Sequence, residues 1–131
     1  MVRSEVREHI FKMLFQIEFN DAEEMPEHMR LYFEELTDAR DKDLKYIREK
    51  CDAVIALLPQ LDQMLNERTI GWKTNRMNKV DLTILRLALY ELLWDDDIPS
   101  GVAINEAVEL ARKFSGDDGP SFVNGVLAKF V

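Results

Sequence analysis

The chain has 131 residues, enough for one domain with a sizeable hydrophobic core, and it carries a formal net charge of −8. Because neutralised phosphates supply most non-specific affinity for nucleic acid, this charge argues against binding by bulk electrostatics. A lone cysteine allows no internal disulfide, and charged residues near the amino terminus exclude a signal peptide. We therefore expect a single domain over residues 1–131, located in the cytoplasm and without a membrane span.

The first predicted helix covers residues 4–20 and carries two apolar stripes. Phe11, Phe15 and Phe19 recur every four residues on one side. One stripe suffices for a bundle core, so the second needs another helix or a partner. We expect Phe11 in the core, whereas Phe15 and Phe19 are candidates for a binding surface or for a homodimer contact. The opposite stripe consists of Val6, Ile10, Met13, Leu14 and Ile17.

The middle of the chain predicts a short helix after Pro26 and a long helix from Asp43 onwards. Pro59 has no amide hydrogen, so the long helix must kink or divide there. Cys51 falls on the apolar side of that helix, which favours a buried thiol over a reactive one. In the linker that follows, we expect Trp72 to be a core anchor.

The most apolar stretch is residues 80–94, in which eleven of fifteen side chains are apolar. Its four polar residues do not share one helical face, so other helices must surround it. Asn78 is placed to cap its amino end, with Asp81 three residues further on. This stretch therefore predicts the central core helix.

Arg86 lies within this apolar stretch and needs a carboxylate partner, for which Glu91 and Glu106 are the candidates. The two glutamates have no nucleophile or cleft histidine beside them, so we predict no catalytic residues. His28 has no neighbour at ligand spacing, so we predict no metal.

Two more helices complete the pattern. Residues 102–114 have the pattern of an amphipathic helix. A glycine-containing loop then leads to a last, apolar helix. Asp118 or Gly119 can cap this last helix, and Pro120 then lies in its first turn. Alternating strand patterns are missing. We therefore predict an all-α, compact bundle of about six to seven helices.

Three sequence blocks resemble the NusB family of bacterial transcription antitermination factors. They are residues 80–92, 102–111 and 121–127, preceded by Trp72, Arg76 and Met77, and they occur in the family's order and spacing. The resemblance implies a NusB-like fold and a non-enzymatic factor without a cofactor. It also implies three partners: a single-stranded boxA-type leader RNA, the ribosomal protein NusE and the RNA polymerase antitermination complex.

The resemblance further implies which residues contact these partners. In the family, the amino-terminal segment and the loop before the last helix contact RNA, and the ring of Phe122 is expected to stack on or pack against the RNA chain. The RNA-binding set is Arg3, Arg7, Lys12, Lys113, Ser121, Phe122 and Asn124, and the partner-binding set is Phe15, Phe19, Asp81 and Glu91.

Three alternatives stay open. Basic residues at Arg68, Lys73 and Lys79 could take over part of the RNA contact. The same helical domain also occurs ahead of RNA cytosine methyltransferases, but this sequence lacks their glycine-rich cofactor loop. The third alternative is a helical module that acts only through protein contacts. This alternative predicts no RNA binding even when NusE is present.

Overall fold

Every regular element of the computed structural model is helical within the residues that it describes, which are 1–21, 23–69, 71 and 73–131. This confirms the prediction of an all-α fold. Trp72, the expected anchor of the linker, lies outside the described residues. None of the described helices is long and apolar enough to cross a membrane.

The described helices fall into two units, residues 1–56 and 57–131. The single domain over residues 1–131 stays a prediction. The first unit contains α1 (Arg3–Phe15), α2 (Met25–Glu35) and α3 (Asp41–Ala56), and the second contains α4 (Leu58–Arg68), α5 (Lys79–Trp94), α6 (Ser100–Phe114) and α7 (Gly119–Leu127). Short 3-10 turns lie at Gln16–Glu18, Thr74–Arg76 and Ala128–Phe130.

In the first unit, α1 packs against α3. Cys51 is fully buried there, and its thiol faces the Ile10 carbonyl oxygen at 3.9 Å. This confirms the buried thiol, and burial raises the pKa of Cys51 to about 12. The side chains with no exposed surface in this unit are Met13, Ile47, Cys51 and Val54.

The first helix is shorter than its apolar pattern predicts. The α-helix ends at Phe15, and the chain continues as a 3-10 turn in which the amide of Phe19 donates to the Gln16 carbonyl at 3.0 Å. The Asn20 side chain donates to the same carbonyl at 3.0 Å. Both bonds satisfy the free Gln16 carbonyl after the end of α1, and the bond from Phe19, which spans three residues, tightens the last turn.

Pro59 divides the long helix, as predicted. The α3 helix ends at Ala56 and α4 begins at Leu58, so Pro59 falls in the first turn of α4. A first-turn residue donates no helical hydrogen bond, and the proline is therefore accommodated without loss.

The core helix of the second unit is α5, which contacts α4, α6 and α7. Its predicted cap is confirmed: the Asn78 side-chain oxygen accepts from the Asp81 amide at 2.8 Å. The buried Thr83 hydroxyl donates to the Lys79 carbonyl at 2.8 Å, which satisfies a polar group inside the core. The most deeply buried apolar side chains of α5 are Ile84, Leu85, Leu87 and Leu89.

A carboxylate that faces Arg86 comes from α4, a helix that the prediction did not consider. Asp62 on α4 accepts from Arg86 Nε at 2.8 Å and from Arg86 Nη2 at 2.7 Å. Sequence reasoning considered only acids on α5 and α6, because nothing in the sequence fixes which face of α4 turns towards α5.

Candidate functional site

Three aromatic rings lead from the core of the first unit to its surface. Phe11 is buried, which confirms its predicted core position, Phe15 is half-buried, and Phe19 is 66% exposed. The Phe11 and Phe15 ring centroids lie 6.0 Å apart, and those of Phe15 and Phe19 lie 5.0 Å apart. The exposed ring is thus held by its neighbour, and an ordered apolar surface suits a protein contact.

The basic residues of α1 do not share one environment. Arg3 and Lys12 are exposed, whereas Arg7 is only 5% exposed. Arg7 lies three and seven residues before Ile10 and Leu14, and this spacing puts it on the buried face of the helix. Arg7 is therefore largely buried, whereas Arg3 and Lys12 are accessible, and the RNA contact of all three residues stays a prediction.

Asp81 and Glu91, two members of the predicted partner-binding set, are buried in the unbound chain, and their contact with a partner stays a prediction. The two side chains are 5% and 2% exposed, because they belong to the surrounded helix α5. The Asp81 carboxylate accepts from the Asn78 side-chain amide at 2.8 Å and from the Ser115 hydroxyl at 2.6 Å. Asp81 therefore joins the start of α5 to the loop after α6.

Gly119 completes this junction. A Cβ atom at position 119 would lie 2.2 Å from Ser115 Oγ and 3.3 Å from Asp81 Oδ1, so a side chain does not fit without movement. The Gly119 amide donates to the Gly116 carbonyl at 3.0 Å. Asp118 is the N-cap residue of α7, but its side chain makes no capping hydrogen bond. Residues 115–118 are therefore positioned by close packing and by Asp81.

Beside this junction lies a cleft of about 350 Å³, which we call the Phe122 cleft. Its wall includes the half-buried Phe122 ring, and carboxylates of Asp81, Asp117 and Asp118 also line it. An aromatic face can stack on a base, and carboxylates accept hydrogen bonds from base amino groups. The same carboxylates repel phosphate, so the cleft fits the base of a nucleotide better than its backbone.

Ser121 and Asn124 lie elsewhere on α7. Both are exposed and line a second depression of about 520 Å³ between α6 and α7, which we call the α6–α7 groove. Arg112 also lines it and forms an ion pair with Glu109 on the same helix. The predicted RNA contacts of α7 are thus split between two depressions. Arg112 is not singled out by the sequence, because the pattern of α6 alone does not show the second helix that turns its face into a groove.

Lys113 is exposed, and its ammonium lies 5.6 Å from the ring centroid of the neighbouring Phe114. Among the residues named as alternative RNA contacts, Arg68 donates to the Lys129 carbonyl at 3.0 Å and lies over the Phe130 ring. These contacts tie the end of α4 to the last turn of the chain.

In the described part of the chain, no cluster of acidic, histidine or cysteine residues could hold a metal ion.

Comparisons with known proteins agree on one family. The sequence model of the NusB family matches residues 4–131. The transcription antitermination protein NusB of Agathobacter rectalis is 55% identical to this chain over 130 residues, which is 99% of each chain. The solved structure of T. maritima NusB superposes with a TM-score of 0.87 at 33% identity, covering 98% of this chain and 89% of that one.

A more distant solved structure contains the antitermination factors NusB and NusE in complex with dsRNA. It matches with a TM-score of 0.78 at 22% identity, covering 98% of this chain and 96% of the other. At this identity the likeness is one of fold.

Proposed function

This chain belongs to the NusB family of transcription antitermination factors, and we propose from that premise that it binds a boxA-type RNA together with the ribosomal protein NusE. The observation that carries the RNA part is the Phe122 cleft. A half-buried aromatic ring lines it, and the loop beside that ring is held by the hydrogen bond of 2.6 Å between Ser115 and Asp81. A positioned ring loses little freedom when a base stacks on it.

The charges of the cleft indicate how the RNA lies. The carboxylates of the cleft repel phosphate groups, so we expect the phosphates of a bound strand to contact exposed cations instead. In the second unit, which contains the cleft, the exposed cation of the predicted set is Lys113, and we propose Arg3 and Lys12 of the first unit as RNA contacts in their own right. Few such contacts give weak and salt-sensitive binding by the chain alone.

In this proposal, NusE provides the affinity for RNA that the chain alone does not have. Phe15 and Phe19 offer an apolar surface, and residues 17–43, which include Phe19, carry a net charge of −7. A basic ribosomal partner complements such a segment. The solved complex of NusB and NusE with dsRNA supports the pairing through its shared fold. We place the resulting heterodimer in the cytoplasm, within the RNA polymerase antitermination complex.

The test is a fluorescence-anisotropy titration of a boxA-type RNA with this chain, with NusE and with both proteins. We expect tighter binding by the pair than by either protein alone, with preference over a scrambled RNA. The single-stranded and double-stranded forms of the probe are compared, because the solved complex holds dsRNA. Phe122→Ala should weaken RNA binding about tenfold, whereas Tyr46→Ala, which removes an exposed aromatic ring outside the proposed contacts, should not.

Other outcomes would assign a different role. No gain from NusE and no sequence preference would leave a module that acts only through protein contacts. A homodimer in sedimentation that dissociates on Phe19→Ala would show that the aromatic surface serves self-association.

A further inference from the structure

The α6–α7 groove has an apolar floor and a polar rim. Ile104, Val108 and Pro120 line it and are half-buried, so they lie deeper than the exposed residues beside them. The exposed residues are all polar apart from one glycine, and they comprise Asn105, Arg112, Ser121 and Asn124. The groove is open to solvent and more polar than apolar at its surface, and its volume of about 520 Å³ is large enough to receive one nucleotide.

The α6–α7 groove lacks the acidic lining of the Phe122 cleft. Among the described residues that line the groove there is one cation, Arg112, and no carboxylate. Arg112 is paired with Glu109, but both side chains are more than half exposed. Exposed ion pairs contribute little free energy, so the guanidinium can exchange this partner for a phosphate.

Ser121 and Phe122 are consecutive residues at the start of α7, and they line different depressions. A strand that stacks on Phe122 therefore needs to cross only the first turn of α7 to reach the groove. We propose that the α6–α7 groove binds a second nucleotide of the same RNA. Its base lies on the apolar floor, the amides of Asn105 and Asn124 bond to the base edge, and Arg112 binds the phosphate. This inference rests on the proposed RNA-binding function.

Arg112→Gln tests the phosphate contact, and Arg30→Gln is its matched control. Arg30 is also exposed and also pairs with a glutamate three residues earlier, Glu27, but it lies on α2 in the other unit. With NusE present, we expect Arg112→Gln to weaken binding of a boxA-type RNA about fivefold and to reduce the salt dependence. Asn105→Ala should weaken the same RNA about tenfold and leave a scrambled RNA unaffected. Arg30→Gln should change neither the affinity for RNA nor its salt dependence.

An NMR titration of the isotope-labelled chain, in complex with unlabelled NusE, separates this inference from the proposed function. Shifts of the Asn105 and Asn124 side-chain amides on adding RNA support the groove. RNA-dependent shifts confined to residues around Phe122, with Arg112→Gln equal to Arg30→Gln, overturn the groove and leave the proposed function intact. Groove shifts caused by NusE before RNA is added overturn it in favour of a protein contact. Absence of RNA-dependent shifts overturns both.

Discussion

Gly119 and Gly125 occupy the same helix, α7, in opposite surroundings. A Cβ atom at position 119 would lie 2.5 Å from Ser115 Cβ, whereas a Cβ at position 125 meets nothing within 4 Å. We expect Gly119→Ala to lower the free energy of unfolding by about 2 kcal/mol, because residues 115–118 must move away from α5. Gly125→Ala should raise it by about 0.5 kcal/mol, since alanine restricts the unfolded chain and favours the helix. Urea denaturation measures both, and equal effects would show that the close approach at Gly119 is relieved without cost.

Cys51 is the other residue whose surroundings determine a measurable property. Burial raises the pKa of its thiol to about 12, whereas an exposed thiol titrates near 9.0. Thiol reagents attack the thiolate, so the folded chain should resist an aromatic disulfide reagent at pH 8 and react fully once urea unfolds it. The unfolded thiol loses its proton first as the pH rises, so this group contributes stability below pH 9 that is lost between pH 9 and about 12. Rapid labelling of the folded chain at pH 8 would contradict the buried position.

At the scale of elements, the contact between α4 and α5 contains a charged pair that is largely sheltered from water. The side chains of Arg86 and Asp62 are 13% and 27% exposed and meet through two hydrogen bonds. Asp62→Ala should lower the free energy of unfolding by about 2 kcal/mol, because it removes two charge-assisted bonds and desolvation of the guanidinium remains. Urea denaturation is again the measurement.

Glu34→Ala is the control for this pair. Glu34 accepts from Arg30 at 2.6 Å, but both side chains are more than half exposed, so solvent and salt screen the interaction. We expect no measurable change in stability. A loss as large as that of Asp62→Ala would mean that exposure does not decide the strength of these pairs.

The same elements show what a sequence can and cannot specify. Local signals predicted the break at Pro59, the cap by Asn78 and the core helix α5, because each depends on residues a few positions apart. The partner of Arg86 and the division of α7 between two depressions depend on which faces of distant helices meet, whereas the burial of Arg7 follows from its spacing to Ile10 and Leu14. Periodicity gives the face of a helix but not the neighbour that covers it.

At the scale of the whole molecule, a net charge of −8 coexists with a small set of exposed cations in the proposed RNA contacts. These are Arg3, Lys12, Arg112 and Lys113. Each phosphate neutralised on a single strand contributes about −0.7 to the slope of the logarithm of the association constant against the logarithm of salt concentration. If these four cations carry the phosphate contacts, the slope for the chain alone is about −3.

Arg3→Gln then tests the chain's electrostatics with a single charge. It should make this slope shallower by about 0.7 and weaken the binding of boxA-type and scrambled RNA equally, because a phosphate contact carries no sequence information. Lys45→Gln removes another exposed charge, on α3 and outside the proposed contacts, and should leave the slope unchanged. Equal slopes for both variants would mean that only the overall charge matters. If the salt-dependence slope becomes steeper when NusE is added, the additional phosphate contacts lie on NusE. We expect this result for an acidic chain that binds RNA as half of a heterodimer.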